Sequence, residues 1–266
     1  MEHLFESWQA FSSDIRAASH ILLLSDYDGT LTPIVSRPEE AFLSPQVKEK
    51  LLNLVKNSFF SLGVISGRSL SEVRTLVGIE GIYYAGNHGL EIEGPGISYI
   101  NPEAREARAE MEDLAQQFSA ELADIEGAFV EDKGLSLSVH YRLVKKNEER
   151  EVAEIFRQIT ASFLSEGKIR TNSAKKVWEV RPPTDWNEGN AVETILNEVI
   201  TVPGGEGGSV IYLGDDTTDE DVFRFIQRPK GWSIFVGGEN PSSNAEYYLK
   251  SPSEVETFLS RLLEMK

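Results

Sequence analysis

The chain has 266 residues with 43 acidic and 26 basic side chains, which give a net charge of −17 at neutral pH. This balance argues against nucleic acid and anionic membranes as partners, because both are bound by basic surfaces. The absence of cysteine excludes disulfides and thiolate metal sites. No stretch approaches the length of a membrane span, and residues 1–20 lack a signal-peptide pattern. We therefore expect a cytoplasmic protein.

Strands and helices alternate in the first hundred residues and again near the C-terminus. Ile21 to Ser25 begins this pattern as an almost continuous apolar run, which is typical of a strand buried on both faces of a parallel sheet. The other predicted strands are 59–65, 82–85, 209–213 and 233–236, and the predicted helices lie in 1–20, 45–55, 69–78, 189–200 and 252–263. The alternation predicts an α/β fold with helices on both faces of a parallel sheet.

The pattern changes after Pro102. A charge-rich helix is predicted at 103–123 and a second helix at 147–164. Two segments, 135–142 and 175–181, alternate apolar and polar residues, which is typical of antiparallel strands with one covered and one open face. We interpret 103–182 as an inserted α+β domain, so that 1–102 and 183–266 together form the catalytic core.

Two acidic loops directly follow buried strands of the predicted sheet. Asp26 and Asp28 follow the first strand, and Asp215, Asp216 and Asp219 follow the strand at 209–213. Ligands of parallel sheets bind beyond the carboxyl ends of the strands, so these side chains are expected to converge. Carboxylates at that spacing repel one another unless a cation compensates them. Oxygen ligands without Cys or His favour Mg²⁺; the alternative is a set of solvated turn aspartates, which fits one such loop better than two.

A second candidate site is the tripeptide Ser66-Gly67-Arg68, which lies between a strand and a helix. A hydroxyl, backbone amides and the positive end of a helix suit a phosphate dianion, and an arginine can add two parallel hydrogen bonds. By itself the tripeptide is more typical of a helix cap than of a phosphate site. Its position beside the acidic loops favours phosphate binding.

Polar residues of the insert form a third candidate site. Alternating acids and bases on strands suit a polyhydroxylated ligand such as a sugar, although a solvated sheet face has the same pattern. The candidates are Glu131, Lys133, Arg142, Lys175 and Glu179, with His140 as a further one. Among the remaining histidines, His3 and His20 are predicted at the surface, and His88 is also compatible with capping the turn at Gly89.

Several of these segments resemble a known family. The motifs Asp26-Tyr-Asp-Gly-Thr-Leu31, Ser66-Gly-Arg68 and Gly214-Asp-Asp-Thr-Thr-Asp219 resemble the haloacid dehalogenase superfamily. More narrowly, Gly86-Asn-His-Gly89 with Glu91, the run from Glu131 to Arg142, and Glu179-Val-Arg-Pro182 are similar to trehalose-6-phosphate phosphatases. The likeness extends over nearly the whole chain.

The resemblance implies a Rossmann-like core, a mobile cap and a small-molecule sugar phosphate as substrate. Asp26 would attack phosphorus, and Asp28 would protonate the leaving oxygen and then activate water. Mg²⁺ would be held by Asp26, the backbone carbonyl of Asp28 and Asp215, with Asp216 and Asp219 in or near the outer shell. The substrate-binding residues implied are His88, Glu131, Lys133, Arg142, Lys175 and Glu179, beside the phosphate-binding Ser66, Gly67 and Arg68.

One position departs from the family's pattern. Related phosphatases carry a lysine just before the glycine that opens the helix after the cap, whereas this chain has Glu188 before Gly189. Three explanations stay open: another lysine such as Lys175 substitutes, turnover is reduced, or the chain is inactive. The alternatives to a trehalose-6-phosphate phosphatase are therefore a sucrose-phosphate or glycosyl-phosphoglycerate phosphatase, and a catalytically weakened regulator that binds a sugar phosphate. The oligomeric state does not follow from the sequence.

Overall fold

The computed structural model describes residues 1–35, 37–174, 176–201, 208–227 and 231–265. The chain divides into two units, a core formed by Met1–Tyr99 with Asn187–Lys266 and an insert formed by Ile100–Trp186. The sequence analysis placed the insert at 103–182, a few residues shorter at each end.

Within the described residues, the strands make one sheet in the core and one in the insert. In chain order they are β1 (Glu2–His3), β2 (Ile21–Asp26), β3 (Phe60–Ile65), β4 (Tyr83–Gly86), β5 (Glu91–Gly94), β6 (Ile97–Ile100), β7 (Phe129–Asp132), β8 (Leu137–His140), β9 (Arg170–Ala174), β10 (Val177–Arg181), β11 (Ser209–Gly214), β12 (Gly231–Val236) and β13 (Tyr247–Leu249). The core sheet has the order β1-β13-β12-β11-β2-β3-β4-β5-β6. In this spatial order, each strand from β1 through β13, β12, β11, β2 and β3 to β4 pairs in parallel with the next. Strand β5 pairs antiparallel with β4. The predicted α/β fold is confirmed.

Apart from two differences, a split of the helix predicted at 103–123 and the additional short helix Glu220–Phe225, the helices follow the predicted order. They are α1 (Trp8–Ala17), α2 (Pro45–Val55), α3 (Leu70–Val77), α4 (Pro102–Glu106), α5 (Arg108–Glu121), α6 (Glu149–Ser165), α7 (Glu188–Thr201), α8 (Glu220–Phe225) and α9 (Pro252–Leu263). The helix predicted at 103–123 is two helices, α4 and α5, because the backbone at Ala107 leaves the helical conformation with ψ near 2°. None of the described helices combines the length and the apolar character needed to cross a membrane.

Strand β2 lies in the middle of the core sheet, and its apolar run explains this position. Ile21, Leu22 and Leu24 are fully buried, as expected for a strand covered on both faces. β2 pairs with β11 through Ser25 and Leu213, and with β3 through Asp26 and Ile65. The carboxyl ends of the three strands therefore meet at one edge of the sheet.

The insert contains the four-stranded sheet β7-β8-β10-β9, whose strands pair antiparallel. Leu137, Val139 and Val180 point to one face of this sheet and belong to the apolar cluster that includes Phe118 of α5 and Phe156 of α6. The register places Glu131, Ser138 and Glu179 side by side on the opposite face. This polar face is called the insert face below.

The prediction of a surface position for His3 and His20 is wrong. Both side chains are buried, at 9% and 8% exposure. His3 Nε2 lies 3.0 Å from Glu254 Oε2, and His20 Nε2 lies 2.9 Å from Ser61 Oγ. Partners supplied by distant segments make burial of these polar rings possible.

Candidate active site

The two acidic loops lie side by side, because the strands that carry them are neighbours. Asp26 ends β2, and Asp215 follows the last residue of β11. The carboxylate of Asp215 lies so close to Gly29 that a Cβ at that position would overlap it. Gly29 also has a φ of +90°, which favours glycine. A glycine at position 29 thus allows Asp215 to approach the Asp26–Asp28 loop.

Asp26 is a buried acid whose Oδ2 has no hydrogen-bond partner. Burial, followed by repulsion from Asp219, Asp215 and Asp28, raises its pKa well above the usual range. Burial and the charge of Asp216 raise the pKa of Asp215 to about 7, although a hydrogen bond with Asp26 opposes the shift. These carboxylates can all be ionised at neutral pH when positive charge is brought to them.

The carboxylate of Asp219 is buried and hydrogen-bonded to neighbouring residues. Its carboxylate is 1% exposed and accepts hydrogen bonds from the hydroxyl of Tyr212 at 2.6 Å and from the backbone N–H of Asp216 at 2.9 Å. Asp216 has an exposed side chain, whose Oδ1 accepts from the N–H of Thr217 at 2.6 Å. Asp26, Asp215 and Asp219 therefore gather in the interior of the site, whereas the carboxylate of Asp216 lies at its surface turn.

Arg68 connects the predicted phosphate loop to the acidic loop. Its Nε and Nη2 donate to Asp28 Oδ2 and Oδ1 at 2.6 and 2.8 Å, and Nη2 also donates to the carbonyl of Pro38 at 2.8 Å. Nη1 donates to Glu72. The bidentate pair fixes the orientation of the Asp28 carboxylate. Phosphate binding by Arg68 stays a prediction, and its observed partners are Asp28, Glu72 and the carbonyl of Pro38.

The predicted phosphate loop, Ser66–Arg68, is hydrogen-bonded to the turn that follows β4. The carbonyls of Ser66 and Arg68 accept from the N–H groups of His88 and Asn87, at 3.0 and 2.7 Å. The imidazole of His88 lies against Gly67, where a Cβ would be 2.5 Å from Nε2. The structure thus brings His88 to the phosphate loop of the core.

Glu188 is the first residue of α7 and is 3% exposed. Its Oε1 lies 2.7 Å from Nδ1 of His88, and its Oε2 is 3.3 Å from the hydroxyl of Tyr212. Sequence reasoning treated Glu188 as an isolated negative charge. It missed the partner because His88 is separated from it by 100 residues.

The insert face carries paired charges. Lys133 Nζ lies 3.7 Å from Glu179 Oε1, and Arg181 Nε donates to Glu179 Oε2 at 2.6 Å. His140 and Glu131 pair at 2.8 Å. Arg181, which the sequence analysis did not select, shares the face of Glu179. Arg142 is exposed, and the predicted ligand Lys175 lies outside the described residues.

The carboxylates of the core include candidate ligands for a metal ion. Across the described parts of the chain, no group of three or more His, Asp or Glu side chains is arranged to hold a metal ion. The buried Oδ2 of Asp26 is nevertheless an acceptor without a donor, which suits a cation ligand. Mg²⁺ often binds through one or two carboxylates together with water and substrate phosphate, so the donors present fit that ion.

Comparison with known proteins identifies the family. The family model described as trehalose-phosphatase matches residues 24–253, which include both acidic loops and the whole insert. The chain belongs to the trehalose-phosphatase family. The resemblance inferred from the sequence motifs is thereby confirmed.

Similar proteins agree with this assignment. Trehalose-phosphate phosphatase B of Arabidopsis thaliana is 34% identical over 96% of this chain and 70% of its own length. Probable trehalose-phosphate phosphatase D of the same plant is 34% identical over 100% of this chain and 76% of its own. The C-terminal domain of trehalose-6-phosphate phosphatase from C. albicans superposes with a TM-score of 0.78 at 24% identity, covering 97% of each chain. The last likeness supports the fold alone.

Proposed function

We propose that this protein is a Mg²⁺-dependent phosphatase that converts trehalose 6-phosphate to trehalose and phosphate. The observation that carries the proposal is Asp26, a buried carboxylate at the end of the central strand, with Asp28 and Asp215 beside it and one oxygen without a partner. Membership of the trehalose-phosphatase family supports the substrate. A cytoplasmic location stays a prediction.

Asp26 and Asp28 divide the chemistry between them in this proposal. Asp26 attacks phosphorus and forms an aspartyl-phosphate, which splits one difficult step into two easier ones. Asp28 protonates the leaving sugar oxygen and then takes a proton from the attacking water. The fork of Arg68 holds the Asp28 carboxylate in one orientation and favours its ionised form, which suits the second of these roles, the removal of a proton from water.

Mg²⁺ would be held by Asp26, the backbone carbonyl of Asp28 and Asp215, with Asp216 and Asp219 farther out. When bound, the ion neutralises the charge of the carboxylates and the phosphoryl group. The raised pKa values of Asp26 and Asp215 support this arrangement, because both acids lack a compensating cation.

The insert would recognise the sugar. Glu131, Lys133, Arg142 and Glu179 offer both donors and acceptors, which a polyhydroxylated ligand requires. The pairing of Lys133 with Glu179 supports the proposal, since it holds both side chains on the insert face. Lys175 and a cap that moves to cover the site belong to the same prediction.

The other candidates receive less support. A sucrose-phosphate or glycosyl-phosphoglycerate phosphatase would have the same core, but the similar plant proteins are named for trehalose phosphate. A silent regulator was suggested by Glu188 alone. That carboxylate has His88 and Tyr212 as partners, so its charge is not an unpaired defect beside Asp26.

A substrate panel tests the proposal. Release of inorganic phosphate would be measured in Mg²⁺ with trehalose 6-phosphate, sucrose 6-phosphate and glucose 6-phosphate at equal concentrations. We expect kcat/KM for trehalose 6-phosphate to exceed the others at least about tenfold, which corresponds to about 1.4 kcal/mol of transition-state binding. Equal rates would reject the substrate, and no release from any of the three would reject the phosphatase.

A further inference from the structure

The start of α7 and the phosphate loop are joined through His88. Glu188 is 3% exposed and approaches Nδ1 of the ring at 2.7 Å. A carboxylate can only accept hydrogen bonds, so Nδ1 carries the proton in this pair. The second nitrogen, Nε2, is then the one directed at Gly67. The pair has the form of a histidine oriented by an acid.

The backbone of the turn also fixes the position of His88. Asn87 and His88 both adopt positive φ values, +50° and +54°, which are uncommon for residues other than glycine. Hydrogen bonds from their N–H groups to the carbonyls of Arg68 and Ser66 hold this turn over Gly67. Unusual backbone conformations of this kind persist where the surroundings determine them, and they concentrate at functional sites.

We infer that Glu188 is a positioning residue that holds His88 over Gly67, so that Nε2 of the ring donates to the phosphoryl group bound at Ser66–Arg68. This inference rests on the proposed function, since it assigns a further donor to the same site. With both nitrogens protonated, His88 brings a positive charge to the phosphate end. The hydroxyl of Tyr212 lies 3.3 Å from the other oxygen of Glu188, but its one proton goes to Asp219 at 2.6 Å. The shorter contact of Glu188 is therefore the one with His88.

The pairing with His88 also offsets the negative charge that Glu188 adds to the site. A carboxylate beside Asp26 and Asp219 adds to the negative charge of the site, as its contribution to the raised pKa of Asp26 shows. A protonated His88 compensates that charge within the pair and directs a donor outward. The site therefore gains a cation near the phosphate loop, although residue 188 is an acid.

The test measures binding of inorganic phosphate by calorimetry in Mg²⁺, which requires no turnover. Glu188→Gln, His88→Gln and the double variant would be compared with the unaltered protein. We expect each single change to weaken binding about tenfold, the loss of one charge-assisted hydrogen bond, and the double variant to bind no more weakly than His88→Gln. Unchanged binding in Glu188→Gln, or losses that multiply in the double variant, would overturn the inference.

A spectroscopic measurement separates positioning from a general structural effect. The chain has 4 histidines, so ¹⁵N-labelled imidazole signals can be assigned by loss of the His88 signals in His88→Gln. Addition of phosphate should shift Nε2 of His88 in the unaltered protein and leave it unshifted in Glu188→Gln. No shift in the unaltered protein would contradict the inference, even if the variant failed to fold.

A matched control exists in the same unit. His3 and Glu254 form a similar pair, with Nε2 and Oε2 3.0 Å apart, on β1 and α9. Glu254→Gln should leave phosphate binding unchanged; a tenfold loss there would mean that removal of any His–Glu pair disturbs the core. If phosphate binding behaves as expected while trehalose 6-phosphate is not hydrolysed, the proposed function fails and the role of Glu188 stands.

Discussion

The guanidinium of Arg68, the last residue of the phosphate loop, donates to both carboxylate oxygens of Asp28, at 2.6 and 2.8 Å. Arg68 is only 6% exposed, and it also binds Glu72 and the carbonyl of Pro38. Lysine cannot reproduce a planar two-point contact. The orientation of the proposed acid and base therefore depends on the arginine fork.

Arg68→Lys should lower kcat for phosphate release about a hundredfold, the loss expected when a reacting group is displaced by about 1 Å. Arg74→Lys is the control, because Arg74 lies on α3, the helix that follows Arg68, and forms an exposed ion pair with Glu93. Steady-state kinetics with trehalose 6-phosphate would measure both variants. A kcat in Arg68→Lys equal to that of the control would contradict a role in orienting Asp28.

Lys133→Gln should raise KM for trehalose 6-phosphate about tenfold and leave kcat nearly unchanged, since a hydrogen bond from a charged donor is worth about 1.5–3 kcal/mol. Hydrolysis of p-nitrophenyl phosphate, which has no sugar, should not change. Lys145→Gln serves as the comparison within the insert, because Lys145 pairs with Glu126 in an exposed position. Equal loss on both substrates would show that Lys133 does not recognise the sugar.

Mg²⁺ should stabilise the folded protein against thermal unfolding relative to a sample in chelator. A free Mg²⁺ concentration about a hundredfold above Kd should raise the free energy of unfolding by about 2.7 kcal/mol. Asp215→Asn should lose this increase, because it removes a proposed ligand, whereas Asp113→Asn on the exposed surface of α5 should retain it. Calorimetric melting with and without the ion gives the answer, and an undiminished increase in Asp215→Asn would exclude that residue as a ligand.

His20 predicts a dependence of stability on pH. Burial lowers the pKa of this histidine below its usual 6.5, although a hydrogen bond to the backbone of Ser58 opposes the shift. The unfolded chain then binds a proton at a pH where the folded chain does not, so stability is full above 6.5 and falls as the pH drops towards the folded pKa.

Urea unfolding at several pH values around 6.5, measured for the original protein and for His20→Asn, isolates the contribution of His20 to stability. The free energy of unfolding of the original protein should fall relative to the variant below pH 6.5, by at most about 1.4 kcal/mol per pH unit. Parallel curves for the two proteins would show that His20 has the same pKa in both states.

The main features of the core could be predicted because they depend on local patterns. The apolar run before Asp26 and the one before Asp215 indicated buried strands, and buried parallel strands direct the loops that follow them to one edge. The α/β fold followed from the same segments, whereas the family followed from the acidic loops together with the motifs at 86–91, 131–142 and 179–182; both are confirmed. Short strands such as β1 and β13 were missed, since two or three residues do not form a recognisable period.

The contacts within the site were harder to predict because they join distant residues. Tyr212 lies in an apolar run and reads as a core residue, yet its hydroxyl binds Asp219 and approaches Glu188. His88 and Glu188 are 100 positions apart, and no local signal connects them. The surface prediction for His3 and His20 failed for the same reason, as both have partners in other elements.

The central claim concerns Asp26 as the nucleophile of a trehalose-6-phosphate phosphatase. The most direct measurement is release of inorganic phosphate from trehalose 6-phosphate in Mg²⁺ by the unaltered protein and by Asp26→Asn, which removes the attacking carboxylate at almost constant volume. The account predicts rapid release by the former and none above background by the folded variant. Retention of activity in Asp26→Asn would contradict it.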